Sequence, residues 1–209
     1  MFVANLATVR RMDNPRAQVI SKAMDFDHDI AIIGGGLNGP ALALALSRAG
    51  LRVAVIDALP ARTFENADFD GRAYALALTS VRLMEGLGIW PEIAGDAQPM
   101  LEIKVTDGRA GTGPSPMFMH FDHAEIEEGP MGHMVEDRHL RRALLKAVAA
   151  DPAITMLNDT RVTDQTVEPT GITLTLESGK TLRARLAVGA DGRGSGTAER
   201  AGIKRIAWS

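Results

Sequence analysis

Asp29-Ile30-Ala31-Ile32-Ile33-Gly34-Gly35-Gly36-Leu37-Asn38-Gly39 is the stretch on which the fold turns. Its apolar, β-branched opening reads as a buried parallel strand that stops at three glycines. Residues 38–49 follow as a helix rich in Ala and Leu, with Pro40 in the first turn, where a missing N–H costs nothing, and Gly50 as the C-cap. Arg52-Val53-Ala54-Val55-Ile56-Asp57 is a second apolar strand, so residues 29–57 make a β-α-β unit with parallel strands.

Gly34 to Gly39 satisfies the G-x-G-x-x-G pattern in that setting. Gly34 permits a tight turn, Gly36 lets the backbone approach a pyrophosphate, and Gly39 allows close helix-to-strand packing. Leu37 and Asn38 stand at the helix N-terminus, whose oriented N–H groups favour an anion. Asp57 ends the second strand, where a carboxylate can take both hydroxyls of an adenosine ribose. An acid there disfavours a 2′-phosphate, so FAD or NAD is expected in this site rather than NADP. Taken alone, the glycines would also suit a flexible loop, and Asp57 a turn or helix cap.

The 209 residues are 45% hydrophobic, enough for a sizeable core. A net charge of -3 from intermixed acids and bases excludes an extended basic surface for nucleic acid. The absence of cysteine removes disulfide scaffolds, thiolate zinc sites and cysteine nucleophiles, and fits a cytoplasmic protein. No apolar run is long enough to span a bilayer. Residues 1–28, with Arg10, Arg11, Arg16 and Lys22, read as an N-terminal extension and not as a secretory signal. The five histidines lack metal-ligand spacing, His120 and His123 read as surface residues, and there is no Gly-x-Ser-x-Gly elbow.

Farther along, Val81, Met84 and Leu87 recur at the helical interval over residues 79–87. Residues 101–106 and 116–121 read as extended, with the Gly-Pro-rich stretch 108–116 as a loop or hairpin connection between them. A helix is expected over residues 136–150, then strands over 154–157, 162–167, 172–176 and 182–188. This is an α/β plan with an antiparallel excursion.

Asp70-Gly71-Arg72-Ala73-Tyr74-Ala75-Leu76, followed by residues 80–90, resembles the segment after the second strand in the ubiquinone-biosynthesis hydroxylases. These are flavin-dependent aromatic hydroxylases of the para-hydroxybenzoate hydroxylase type. Gly132-His133-Met134-Val135-Glu136-Asp137-Arg138 is similar to that family's entry into its next helix, and Val188-Gly189-Ala190-Asp191-Gly192 to its Asp-Gly fingerprint. The resemblance implies that Arg72 contacts FAD, that Arg138 reaches back to it, and that Asp191 holds it near the ribose and pyrophosphate. A surface arginine, a helix-start salt bridge and a simple turn are the plainer alternatives. The expected cofactor-binding set is Gly34, Gly36, Leu37, Asn38, Gly39, Asp57, Arg72, Arg138, Val162 and Asp191, with no catalytic acid, base or nucleophile and no metal.

The implied architecture is a Rossmann-like FAD-binding α/β domain with part of an inserted β-rich substrate domain. Residues 29–100 would be the FAD-binding β-α-β region, 101–131 the start of the excursion, and 132–209 the continued FAD-binding domain with a β-meander. The implied activity is reduction of FAD by NADH or NADPH, reaction with O2 and hydroxylation of an aromatic ring, with a polyprenylated phenol as substrate. Peripheral contact with the inner membrane, or with a biosynthetic complex, would follow. A halogenase, an isoprenoid reductase and a non-catalytic dinucleotide-binding module are the alternatives. Family members continue well past the position of Ser209 and carry a Gly-Asp-Ala segment for the flavin ring, so the chain is expected to be a truncated, inactive N-terminal part. Ser195-Gly196-Thr197-Ala198 departs from the basic residue usual there.

Overall fold

A computed structural model describes residues 26–61, 68–109, 111, 113–204 and 206. The extension expected over residues 1–28 falls outside them up to residue 25, and Trp208 and Ser209 are outside as well. Strand β1 (His28–Ile33) leads into helix α1 (Asn38–Arg48) and strand β2 (Val53–Ile56). Then come β3 (Ala73–Ala77), α2 (Leu78–Gly86), β4 (Gln98–Pro99), β5 (Glu102–Arg109), β6 (Gly113–Asp122), β7 (Gly132–Glu136) and α3 (Asp137–Ala149). The chain continues through β8 (Ile154–Leu157), β9 (Val162–Glu168), β10 (Gly171–Leu176) and β11 (Thr181–Gly189) to the short helix α4 (Gly196–Arg200).

The main sheet has the order β8-β2-β1-β11-β10-β9. β1 pairs in parallel with β2 (Ile33↔Ile56) and with β11 (Ile33↔Gly189), and β2 with β8, whereas β10 runs antiparallel to β9 and β11. All four residues of β2 are buried, because successive side chains point to opposite faces and both faces are covered. Ile32, Val53 and Val55 pack with Ala43, Leu44, Leu140 and Leu144 on the helical side. Ala31, Ala54 and Ile56 pack with Val162, Leu174, Leu182 and Ala184 of the meander on the other. Covering both faces is what forces the continuous apolar runs in β1 and β2. Among the described residues, no helix is long and apolar enough to cross a membrane.

Two parts depart from expectation. β3, β7 and β4 form a second sheet in that order, although no strand was expected over residues 73–77 or 132–135. The sequence of β3 is alanine-rich and not β-branched, so its conformation comes from antiparallel pairing with β7 (Tyr74↔Val135, Ala77↔Gly132) and not from propensity. Gly132 is required at that crossing, since a Cβ there would run into the Leu76 carbonyl and lie 2.8 Å from the Met100 Cε. The stretch 108–116, expected as a loop or hairpin connection, is a hairpin whose ladder reaches farther into it than expected: β5 runs to Arg109, β6 starts at Gly113, and a register shift between Thr106 and Gly108 absorbs the irregularity. Pro114 and Pro116 are tolerated because a two-stranded hairpin leaves an outer edge on each strand.

Candidate cofactor-binding site

The loops after β1, β2 and β11 meet at the carboxyl end of the main sheet, beside the central strand where connections part to either side. Backbone bonds tie them: Gly34 N–H donates to Ile56 O at 2.8 Å and Ala190 N–H to Ile33 O at 2.7 Å. Gly34 has φ +116°, and a Cβ there would run into Ala190 and lie 2.8 Å from the Asp191 nitrogen. A Cβ on Gly39 would meet the Gly34 carbonyl, so this glycine sets how closely α1 approaches β1. Gly36 is the exception: a Cβ there meets no protein atom within 4 Å.

The missing Gly36 side chain opens onto two adjoining cavities. One, of about 570 Å³, is walled by Gly34, Asp57, Arg72, Val162 and Asp191. The other, of about 450 Å³, is walled by Leu37, Arg72, Tyr74, Asp137 and Arg138. Gly36, Leu59 and Arg72 border both, so the two volumes form one elongated track across the end of α1. Helix α1 has no side-chain cap and no acid in its first turn, which leaves its positive end to whatever lies in that track. Of the expected set, Asn38 borders a separate groove with Ala41 and Leu83, and Gly39 borders neither cavity. Val162, buried, belongs to the meander-side core and forms the apolar floor.

The carboxylates here already have backbone partners. Asp57 accepts from Gly35 N–H at 2.5 Å through Oδ2 and from Leu59 N–H at 2.7 Å through Oδ1. It is thus a turn brace, with one further lone pair free on each oxygen to receive a hydroxyl. Asp191 accepts from Ser195 Oγ at 2.5 Å, from Thr197 N–H at 3.0 Å and from Thr197 Oγ1 at 2.9 Å. Partial burial pushes its carboxyl upward, but these hydrogen bonds outweigh burial and hold it below the usual carboxylate range. Arg138 donates to Glu136 at 2.6 Å and lies over the Phe69 ring at 5.8 Å. Arg72 pairs with Asp70 at 2.5 Å and with the buried Asp137 at 3.4 Å, and Tyr74 Oη donates to Asp137 at 2.9 Å.

Sequence reasoning missed Gly35, Tyr74, Asp137 and Arg141. Tyr74 and Asp137 sit inside motifs already singled out, and the Asp137–Arg141 pair has the helical i,i+4 spacing, which was the available signal.

Residues 27–208 match the FAD binding domain family. The chain is 45% identical over 175 residues to the "Ubiquinone hydroxylase UbiL" of Rhodospirillum rubrum, covering 84% of this chain and 39% of that protein. It is 34% identical over 182 residues to the "3-demethoxyubiquinol 3-hydroxylase" of Escherichia coli, covering 86% of this chain and 45% of that protein. The chain therefore spans about two-fifths of the length of the curated relatives it matches. Among solved structures, p-nitrophenol 4-monooxygenase PnpA from Pseudomonas putida superposes with a TM-score of 0.70 at 19% identity, over 89% of this chain and 47% of that one. At that identity the likeness speaks for the fold. Because the match takes in both cavities and every loop that walls them, the chain belongs to the FAD binding domain family.

Proposed function

We propose that the chain is the FAD-binding portion of a flavin-dependent monooxygenase that hydroxylates the aromatic ring of a polyprenylated phenol in ubiquinone biosynthesis. The observation that carries the binding half of this reading is Gly36, whose absent side chain leaves room at the junction of two cavities in front of an uncapped helix N-terminus. A pyrophosphate fits that junction: it needs backbone N–H donors, positive potential and a nearby guanidinium, and Arg72 borders both cavities. Asp57 would receive the adenosine ribose hydroxyls, and Val162 would supply an apolar wall to the adenine side. Asp191 would act by holding its loop against Gly34, and Arg138 from the second cavity. Bound FAD supplies the redox and oxygen chemistry, with NADH or NADPH as electron source. The chain's own residues bind, orient and keep water from one end of it.

The substrate half rests on the names of the relatives. The β5–β6 hairpin fits the start of a substrate domain, since Ile103, Val105, Met119 and Phe121 line one face of it, cross-paired and exposed. A polyprenyl tail resides in a bilayer, so the reading includes peripheral contact with the inner membrane. The deciding experiment is a product assay on the longer protein that carries this chain. FAD, NAD(P)H, O2 and a polyprenylphenol should give a ring-hydroxylated product one oxygen heavier. Consumption of NAD(P)H without any oxygenated product would sink the hydroxylase reading.

A further inference from the structure

Two carboxylates share the guanidinium of Arg72, and they are opposite in character. Asp70 is 44% exposed and accepts from Nε at 2.9 Å and from Nη2 at 2.5 Å. Asp137, the first residue of α3, is 3% exposed and lies 3.4 Å from Nη2. Asp137 is itself fixed from several sides. Tyr74 Oη donates to it at 2.9 Å, Arg141 pairs with it from one turn along α3, and its own N–H donates to the Arg72 carbonyl at 3.0 Å. The guanidinium between the two carboxylates is half-exposed and stands where the two cavities join.

An exposed ion pair exchanges readily for another anion, because water and salt already screen it. A buried carboxylate does not, because losing its partners strands a charge away from water. Asp70 takes the Nε–Nη2 edge of the guanidinium and Asp137 meets only Nη2, so departure of Asp70 frees Nε and one Nη2 hydrogen for a phosphate while Asp137 keeps its side of Nη2. We propose that Asp137 is the positioning residue that fixes Arg72 at the junction of the cavities, and that Asp70 is a placeholder which the ligand's phosphate groups displace. The inference rests on the dinucleotide reading above and adds which carboxylate stays and which leaves.

Charge alone cannot produce this pattern. Asp70→Asn and Asp137→Asn each remove one negative charge near the ligand, so a pure field effect would tighten binding in both. Calorimetric titration of FAD, and separately of ADP, into the 209-residue chain and its variants distinguishes the cases. Asp70→Asn should tighten binding about threefold, the scale of an exposed ion pair, and this gain should vanish in an Arg72→Gln background. Asp137→Asn should weaken it by at least about tenfold, as expected on losing the buried partner of the ion pair that orients the arginine. Tyr74→Phe, which keeps every charge, should weaken it in the same direction and serves if circular dichroism shows that Asp137→Asn does not fold. Tightening in both Asn variants, no change in Asp70→Asn, or parental affinity in Tyr74→Phe overturns the assignment while leaving the dinucleotide reading intact. A parent chain that binds neither ligand overturns both.

Discussion

The backbone N–H of Gly35 donates to the carboxylate of Asp57 at 2.5 Å, across the gap between the glycine loop and the end of β2. A Cβ on Gly35 would lie 2.9 Å from the Asp57 Cβ and 2.9 Å from the Met156 Cε, so the contact itself requires glycine. Asp57 thus shapes the loop that would hold a pyrophosphate as well as facing the adjoining cavity.

Asp57→Ala should therefore lower stability and affinity together. Loss of two backbone hydrogen bonds to a charged acceptor costs about 2 kcal/mol or more, and FAD binding should weaken by at least about tenfold. Asp57→Asn keeps the acceptor Oδ1 or Oδ2 for one of the two N–H groups and should recover part of the stability. Denaturant titration alongside FAD titration checks this. A variant with unchanged affinity would leave Asp57 as a turn brace alone.

Gly39 and Gly36 should separate folding from binding. Gly39→Ala drives a methyl into the Gly34 carbonyl and should cost about 1–3 kcal/mol as an overpacked contact. Gly36→Ala meets no protein atom and should leave the melting temperature close to the parent's. Thermal melts of the two variants test the contrast, and equal destabilisation would contradict the geometry described for this loop.

Stability should fall with acid through Asp191. Its folded carboxyl is held below the ordinary value of 3.8, so its contribution is fully present above that pH and is lost as pH falls from about 3.8 through the lower folded value. Asp151, held low by Ser47 Oγ and the Ala153 N–H, acts with the same sign in the same window. Urea unfolding from pH 7 down to pH 2 should show a shallower acid decline in Asp191→Asn than in the parent. Identical declines would remove Asp191 from the account of α4 and its loop.

The β1-α1-β2 unit was legible in the sequence because each of its signals is local: a β-branched run, three glycines, Pro40 in a first turn, and a second apolar run ending in Asp57. β3 and β7 were not, because their conformation depends on pairing between segments some sixty residues apart, from Ala73↔Glu136 to Ala77↔Gly132. The same divide runs through the site. Gly34, Gly36, Asp57, Arg72, Val162 and Asp191 line one cavity. The contacts that hold them, Gly35 to Asp57 and Asp137 to Arg72 and Tyr74, join residues far apart in the sequence.

Whether the junction at Gly36 holds a pyrophosphate is read from titration of FAD into the purified chain and its Gly36→Val variant, with circular dichroism of both. The parent should bind FAD, and the variant should retain its helix content and lose binding, since the side chain fills space that no protein atom occupies. A folded Gly36→Val chain that binds FAD as tightly as the parent would contradict the account.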